Sequence, residues 1–152
     1  MSLLIRPITE HDFEQWLPLW LGYNAFYGRS GDTALPEDIT QLSWQRFLSE
    51  SEPMYALVAE RDGKLVGMTH YLYHRSTILR GPSCYLQDLF TDPSCRGQGV
   101  GRQLIEAVAA RAFASGAERL YWGTYQDNAT ARRLYDTVAK HTGGIIYTYN
   151  RP

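Results

Sequence analysis

Hydrophobic and polar positions repeat with two different periods along this chain, and the two periods separate predicted helices from predicted strands. Apolar side chains recur three and four residues apart in four stretches, which predicts helices over His11 to Tyr23, Glu37 to Ser49, Gly99 to Ser115 and Ala129 to Lys140. Shorter apolar and aromatic runs predict six strands, over Leu3 to Pro7, Tyr55 to Glu60, Lys64 to His74, Tyr85 to Thr91, Leu120 to Thr124 and Ile145 to Tyr149.

The order of these elements predicts the fold class. Asp62-Gly63 is a strong hairpin signal and Gly81-Pro82 marks another turn, so the central strands form an antiparallel meander. The second half then alternates strand and helix, a βαβα pattern followed by the last strand. Together they predict a mixed α/β (α+β) sheet with helices on both faces, in three layers.

Helical periodicity predicts which side chains each helix buries. The expected inward residues are Phe13, Trp16, Leu17, Trp20 and Leu21 on the first helix, Ile39, Leu42 and Phe47 on the second, and Val100, Leu104, Ile105, Val108 and Ala112 on the third. Thr9 and Asp12 predict a capping box before the first helix, and Gly116 predicts a C-cap after the third.

Length and composition exclude several classes of protein. With 152 residues, of which 44% are hydrophobic and 20% charged, we expect one globular domain over 1–152 rather than a disordered chain. No apolar stretch reaches the roughly 18 residues of a spanning helix, and no secretory signal is expected.

Cys84 and Cys95 are too few for a disulfide framework, so we expect reduced thiols and a cytoplasmic location. A net charge of -1 argues against nucleic-acid binding.

The charge is distributed unevenly along the chain. Residues 1–75 hold ten acids and six bases, whereas residues 76–152 hold six acids and nine bases. Thirteen of the 15 bases are Arg, which pairs with phosphate through two parallel hydrogen bonds. This bias is compatible with an anionic ligand in the second half, and equally with a solvated, arginine-rich surface.

A glycine-rich loop, Arg96 to Gly101, is predicted between a strand and a helix. Its alternate glycines allow a ligand to approach the backbone, and the following helix directs free N–H groups at the loop, as phosphate-binding sites do. No Gly-Lys-Ser/Thr follows, and the spacing differs from a dinucleotide fingerprint. A glycine-rich turn without a ligand remains the alternative.

Two motifs resemble those of the GNAT acetyltransferases. Arg96-x-x-Gly99-x-Gly101 is similar to the acetyl-coenzyme A motif of that family, which follows a strand ending in a bulge, here Leu86 to Thr91. Asn128-x-x-Ala131-x-x-x-Tyr135 is similar to a second family signature at the expected distance. The resemblance runs from about Ile5 to Tyr149.

The resemblance implies acetyl-CoA as cosubstrate, no metal, and direct attack by an amine in a ternary complex. The cofactor-binding residues that it implies are Leu89, Phe90, Thr91, Arg96, Gly97, Gln98, Gly99, Val100, Gly101, Arg102, Asn128 and Tyr135. The Leu89 amide would polarise the thioester carbonyl, and Tyr135 would protonate the departing thiolate. Tyr135 also lies in an apolar helical stripe, so a core tyrosine is the alternative.

The general base and the substrate are less defined. Relatives that acetylate polyamines often carry Glu where this chain has Gln87, which cannot accept a proton at neutral pH. Asp88 could act through water or attract a cationic amine, or be a structural carboxylate. Strand alternation points Asp88 away from the face of Gln87 unless the bulge re-aims it.

Substrate contacts are expected at Tyr27, Gln87, Asp88 and Trp122. Trp20, Tyr23, Phe26 and Trp44, with Glu37 and Asp38 nearby, suit an ammonium group, although Trp20 and Trp44 are equally good core residues. We expect a polyamine, diamine or amino-acid-like amine, with protein lysine and a non-catalytic coenzyme A-binding module as alternatives. An exposed apolar edge near Ile145 and Ile146 predicts a homodimer joined through C-terminal strands.

Overall fold

A five-stranded sheet in the order β1-β2-β3-β4-β5 organises the computed structural model, which describes residues 2–152. The strands are β1 (Leu4–Pro7), β2 (Met54–Arg61), β3 (Lys64–His74), β4 (Ser83–Thr91) and β5 (Arg119–Tyr121). The helices are α1 (Phe13–Phe26), α2 (Glu37–Leu48), α3 (Val100–Ala114) and α4 (Ala129–Val138). Strands β1 to β4 are antiparallel and β5 is parallel to β4, which confirms the predicted mixed α/β fold. In the described part of the chain, no helix is long and apolar enough to cross a membrane.

Each face of the sheet carries its own apolar core. On one face, which we call the α3 face, all five predicted apolar residues of α3 are buried against β2, β3 and β4, together with Cys84. On the other, the α1 face, the indole rings of Trp16, Trp20 and Trp44 pack from α1 and α2 onto β2 and β3. The β4 strand lies between these cores, so its alternating side chains enter both.

Local turn and cap signals form as predicted. Asp62 and Gly63 both have positive φ, 53° and 76°, as a two-residue hairpin between β2 and β3 requires. Thr9 and Asp12 form the capping box, although a 3-10 turn precedes the α-helix, which extends to Phe26 rather than ending at Tyr23. Asp12 also pairs with Arg6 of β1 at 2.8 Å, so the start of α1 is tied to the edge strand.

The predicted inward faces of α1 and α2 are partly wrong. Leu21 is exposed, as are Ile39 at 40% and Leu42 at 43%. The buried positions of α2 are instead Thr40 and Trp44. The Thr40 hydroxyl accepts a hydrogen bond from the Trp20 indole at 3.0 Å. This hydrogen bond and the burial of the large Trp44 ring together determine which side of α2 faces the core.

The chain beyond α4 departs from the prediction. The α4 helix ends at Val138 rather than Lys140, β5 ends at Tyr121 rather than Thr124, and residues 139–152 contain no helix or strand. The predicted strand from Ile145 to Tyr149 is therefore wrong for the isolated chain. A strand needs a partner for its backbone groups, and apolar character alone supplies none. Ile145 and Ile146 remain 76% and 81% exposed.

Candidate active site

The candidate site begins where β4 and β5 separate. Parallel pairing joins the two strands only between Ser83–Tyr85 and Arg119–Tyr121. From Leu86 to Thr91, β4 continues along β3 on one side, but no strand of residues 2–152 pairs with its other side. An extended ligand can add to this edge as a further strand, which is the position expected for the pantetheine arm.

Leu89 and Thr91 supply the free backbone groups of that edge. The Asp92 N–H donates to the Val66 carbonyl at 2.8 Å, and hydrogen-bonded pairs alternate with non-bonded pairs along an antiparallel ladder. By this alternation the N–H and C=O groups of Leu89 and Thr91 point away from β3. The Leu89 amide therefore lies at the opening, where the sequence predicts a donor to the thioester carbonyl.

A β-bulge in β4 re-aims the side chains that follow it. In the β3–β4 register His70 lies opposite Asp88, and the next residue of β3 lies opposite Leu86, so Gln87 is the extra residue. Leu86 and Leu89 consequently both pack on the α3 face. The Asp88 carboxylate turns to the α1 face and is buried beside His70, whereas Gln87 is exposed.

Two glycines with left-handed backbone shape the turn from β4 into α3. Gly97 and Gly99 have φ of 75° and 83°, which glycine adopts without the steric penalty of a side chain. The first backbone bond of α3 runs from the Gln103 N–H to the Gly99 carbonyl, so the amides from 100 to 102 have no acceptor within the helix. These amides and the helix dipole suit a pyrophosphate, so this loop and the open β4 edge fit acetyl-CoA.

The side chains of this loop are held by contacts at its borders. Arg61 donates to Gln98 Oε1 at 2.5 Å, and Arg102 donates to a threonine hydroxyl of α4 at 2.8 Å. The Arg96 guanidinium lies 5.5 Å from the centre of the Phe90 ring. Phe90 itself packs in the core of the α1 face, so its side chain lies away from the predicted cofactor edge.

Asn128 connects the loop after β5 to α4. Its side-chain oxygen accepts a hydrogen bond from the Ala131 N–H at 3.5 Å, and so it caps the helix. Its Nδ2 group donates to the Thr124 hydroxyl at 3.1 Å. Part of the second predicted signature thus has a structural role in starting α4.

Tyr135 projects from α4 onto the α3 face of the sheet. Its ring packs edge-on against Trp122, with 5.4 Å between ring centroids. Burial raises the pKa of the Tyr135 hydroxyl to about 12, and Tyr27 adds to the shift. The hydroxyl therefore carries its proton at neutral pH. Trp122, which is predicted as a substrate contact, packs against this ring.

Three tyrosines, Tyr23, Tyr27 and Tyr125, form what we call the tyrosine cluster. Ring centroids are 5.0 Å apart between Tyr23 and Tyr27, and 5.8 Å apart between Tyr27 and Tyr125. Burial raises the pKa values of Tyr23 and Tyr27, and the nearby Asp88 carboxylate raises both further. The cluster thus brings Asp88 of β4, Tyr27 at the end of α1 and Tyr135 of α4 into one neighbourhood.

A cavity of about 580 Å³ opens beside this cluster. Its lining residues are Phe26, Tyr27, Tyr125, Asp127, Asn128, Ala129 and Thr130. Its volume lies within the range of small-molecule sites. The cavity therefore joins two residues expected at the site, Tyr27 and Asn128.

Other residues associated with the substrate have different surroundings. Trp20 and Trp44 are core residues, and Trp20 stacks on Tyr23 with 5.7 Å between ring centroids. Glu37 and Asp38 are exposed in the first turn of α2. The acidic residues near the tyrosine cluster are therefore Asp88 and the cavity-lining Asp127 rather than the carboxylates of the second helix.

Sequence reasoning missed three residues at this site. Trp16 donates from its indole to His70 Nε2 at 3.0 Å, and His70 Nδ1 lies 2.9 Å from the Asp88 carboxylate. The Arg29 guanidinium lies over the rings of Tyr27 and Tyr23, at 5.7 and 6.0 Å. One signal for His70 was available, because it is a polar residue within the apolar run of a predicted strand.

Comparison with known proteins adds independent findings. The acetyltransferase (GNAT) family profile matches residues 13–138. The D-amino-acid N-acetyltransferase HPA3 of Saccharomyces cerevisiae is 31% identical over 150 residues, which span 97% of this chain and 91% of the yeast protein. The thialysine N-epsilon-acetyltransferase of Bos taurus is 35% identical over 74 residues, 49% of this chain and 43% of the bovine protein.

The fold is also shared with a solved acetyltransferase structure. AAC(6')-Iy in complex with the bisubstrate analog CoA-S-monomethyl-acetylneamine matches with a TM-score of 0.84 and 20% identity, covering 100% of both chains. At this identity the match concerns the arrangement of helices and strands.

Proposed function

This chain belongs to the acetyltransferase (GNAT) family, and from this premise we propose that it acetylates the primary amine of a small molecule, with an amino-acid-like amine as the first candidate. The family membership makes it an acetyl-CoA-dependent N-acetyltransferase. The observation that carries the choice of substrate class is the pair of opposite charges at the tyrosine cluster. The Asp88 carboxylate borders the cluster, and the Arg29 guanidinium lies over two of its rings.

Arg29 has the chemistry to receive a carboxylate. Its Nε donates to Asn24 Oδ1 at 2.6 Å, which holds the guanidinium over the rings. Among residues 2–152, no carboxylate lies within ion-pairing distance of Arg29. An amino acid carries an ammonium for Asp88 and a carboxylate for Arg29, whereas a polyamine carries only cations, which Arg29 would repel. The yeast relative, a D-amino-acid N-acetyltransferase, supports this choice.

Asp88 acts in this proposal mainly by binding and orienting the amine. A carboxylate is a much weaker base than an alkylamine, so it is a poor acceptor for the proton of an alkylammonium. The nitrogen that attacks must be neutral, so the reaction draws on the neutral fraction of the amine. The neutral nitrogen attacks the thioester carbonyl, the C–N bond forms, the C–S bond breaks, and the amine proton leaves through water beside Asp88.

Leu89 and Tyr135 act on the thioester in this proposal. The Leu89 amide donates to the carbonyl oxygen as negative charge develops on it. Tyr135 donates a hydrogen bond to the departing sulfur. With a pKa of about 12, Tyr135 is a weaker acid than an ordinary thiol of about 8.5, so hydrogen bonding is easier for it than complete proton transfer.

The proposed assembly is a homodimer of a single-domain protein in the cytoplasm. The exposed Ile145 and Ile146 and the free outer edge of β5 support a contact between C-terminal segments of two copies. A count of two cysteines in 152 residues supports a reducing compartment. Sedimentation at micromolar concentration tests the assembly, and a monomer there contradicts it.

An amine panel tests the proposed substrate class. Release of free thiol from acetyl-CoA is measured with D- and L-amino acids, diamines and a lysine peptide, for the wild type and Arg29→Met. We expect amino acids to be preferred, and Arg29→Met to raise their KM about tenfold, the effect of one hydrogen-bonded charge. The same variant is expected to leave the KM for diamines unchanged or lower. A wild type that prefers diamines or the lysine peptide contradicts the proposal.

A further inference from the structure

Three buried side chains form a line from α1 to the bulge of β4. The Trp16 indole N–H lies 3.0 Å from His70 Nε2, and His70 Nδ1 lies 2.9 Å from Asp88 Oδ2. All three residues are buried, with Trp16 at 0% and His70 at 2% exposure. The Asp88 end of the line borders the tyrosine cluster, so the line connects the core of the α1 face to the proposed amine position.

The hydrogen-bond chemistry of indole determines the state of the imidazole. An indole N–H donates and has no lone pair to accept, so His70 Nε2 has to accept and carries no proton. The single proton of a neutral imidazole is then on Nδ1, from which it donates to Asp88. An imidazolium would place two N–H groups against each other at the Trp16 contact.

Packing holds the imidazole ring in this orientation. Phe47 of α2 stacks on it at 4.3 Å and 25°, and the rings of Trp16 and Trp20 lie 5.9 and 5.5 Å away. His70 and Asp88 are also direct partners in the β3–β4 register, beside the bulge. The His70 N–H is therefore presented to Asp88 by backbone pairing as well as by aromatic contacts.

We propose that Trp16 locks His70 as a neutral imidazole protonated on Nδ1, and that His70 is a positioning residue which orients the Asp88 carboxylate toward the acceptor amine. This role rests on the proposed function, because it takes Asp88 to bind the amine. It also removes His70 as general base, since its basic nitrogen is occupied by Trp16. The His70–Asp88 pair has the composition of a proton relay, but the indole of Trp16 can only donate and so cannot accept a proton from His70.

The surroundings of His70 contain one charge in direct contact with it. That charge is Asp88 of β4, and α2 contributes the uncharged Phe47 ring. Around the carboxylate, Tyr23 of α1, Tyr27 after it and Tyr85 of β4 all have a raised pKa, mainly through burial and in part through Asp88. The Arg29 guanidinium lies 6.0 Å from the centre of the Tyr23 ring and 5.7 Å from that of Tyr27. Loss of the Trp16 donor would leave His70 Nε2 without the hydrogen bond that selects the Nδ1–H tautomer.

Nitrogen NMR of the histidine rings tests the lock without reference to catalysis. The chain has four histidines, and His70→Asn assigns the signal. In the wild type we expect the His70 signal to be that of the Nδ1–H tautomer, with Nε2 unprotonated and accepting from Trp16. In Trp16→Phe we expect the Nε2 signal to shift, because its hydrogen-bond donor is lost. A proton on Nε2 in the wild type, or an Nε2 signal unchanged in Trp16→Phe, overturns the lock.

Steady-state kinetics test the positioning role. His70→Leu removes the donor to Asp88 and is expected to raise the amine KM about tenfold, with the KM for acetyl-CoA unchanged. His70→Asn, whose amide can still donate toward Asp88, is expected to recover most of this loss. Met68→Val, a buried change on the same strand and face, is the control for packing and is expected to leave the amine KM unchanged.

The split between the two KM values, with the rescue by His70→Asn, separates positioning from a purely structural role. Equal amine KM values in His70→Leu and the wild type, or a loss equal to that of Met68→Val, overturn the positioning role. Absence of acetyl transfer to any amine contradicts the proposed function instead, while the NMR result on the lock stands by itself.

Discussion

At the open edge of β4 and the start of α3 the proposed contacts to acetyl-CoA come from backbone groups, whereas on the α1 face the proposed contacts to the amine come from side chains. Leu89, Thr91 and the first turn of α3 offer N–H and C=O groups, and their geometry depends on two glycines and a bulge. Asp88 and Arg29 offer charges held by residues from other elements. A backbone site leaves a local sequence motif, and a side-chain site assembled from several elements does not.

The largest effect is expected from Gly99→Val, which acts on the backbone site. A β-branched residue at φ of 83° is strained, and the loop would move its amides away from the pyrophosphate. We expect the KM for acetyl-CoA to rise about a hundredfold, with a smaller change in the amine KM. Gly116→Val is the matched control, because Gly116 also has positive φ, 101°, but lies past the other end of α3. Equal effects of the two variants on acetyl-CoA would contradict a phosphate role for the loop.

Asp88→Asn acts on the side-chain site and is expected to have the next largest effect. The amide keeps the shape of the carboxylate but loses its charge, so kcat/KM for the amine is expected to fall about thirtyfold. Binding of coenzyme A, followed by calorimetry, is expected to remain unchanged. Gln87→Glu, a change at the exposed neighbour in the bulge, serves as the control for charge at this position. A gain of rate in Gln87→Glu, together with full activity in Asp88→Asn, would move the acidic role to position 87.

Tyr135→Phe tests the junction between the two faces. Loss of the hydroxyl removes the hydrogen bond to the departing sulfur, and we expect kcat to fall about tenfold with both KM values nearly unchanged. The ring contact with Trp122 is retained, so the melting temperature is expected to stay within a few degrees. A Phe variant with full turnover at saturating substrates would make Tyr135 a core residue only.

The smallest effect on catalysis is expected at the far end of the α1 face, where Arg6 binds Asp12. Hydrogen bonding to Arg6 lowers the pKa of Asp12 from 3.8 to about 2. Because the folded pKa is lower than the unfolded one, the stabilisation is present above about pH 4 and is lost as the pH falls toward about 2. Asp12→Asn is expected to cost about 2 kcal/mol of unfolding free energy at pH 7 and much less near pH 2.

Chemical denaturation at the two pH values measures this difference. Asp32→Asn, at an exposed aspartate in the loop before α2, is the control and is expected to change the free energy of unfolding little. Kinetic constants for both substrates are expected to stay the same in Asp12→Asn. A change in the amine KM would show that the β1–α1 junction is coupled to the tyrosine cluster.

Prediction from sequence succeeded where short-range interactions determine the structure. The Asp62-Gly63 hairpin, the Thr9 cap and the buried stripe of α3 depend on residues within a few positions of one another, and all three formed as expected. The prediction of the buried residues of α2 was wrong because the contact that orients this helix joins Thr40 to Trp20, a residue of another helix. The last strand failed because apolar residues without a neighbouring strand have no backbone partner within the chain.

By itself the sequence determined the fold class and the family, since both follow from periodicity and from glycine and asparagine spacings that constrain the backbone locally. Tertiary structure alone decided the surroundings of Asp88. The orientation of Asp88 depends on the bulge at Gln87, and its hydrogen bond depends on His70 of the neighbouring strand β3. The tautomer of His70 in turn depends on Trp16, which lies on α1, 54 residues earlier in the chain. Hydrogen bonds between residues so far apart in the sequence depend on which surfaces pack together, so they cannot be predicted from a local sequence pattern.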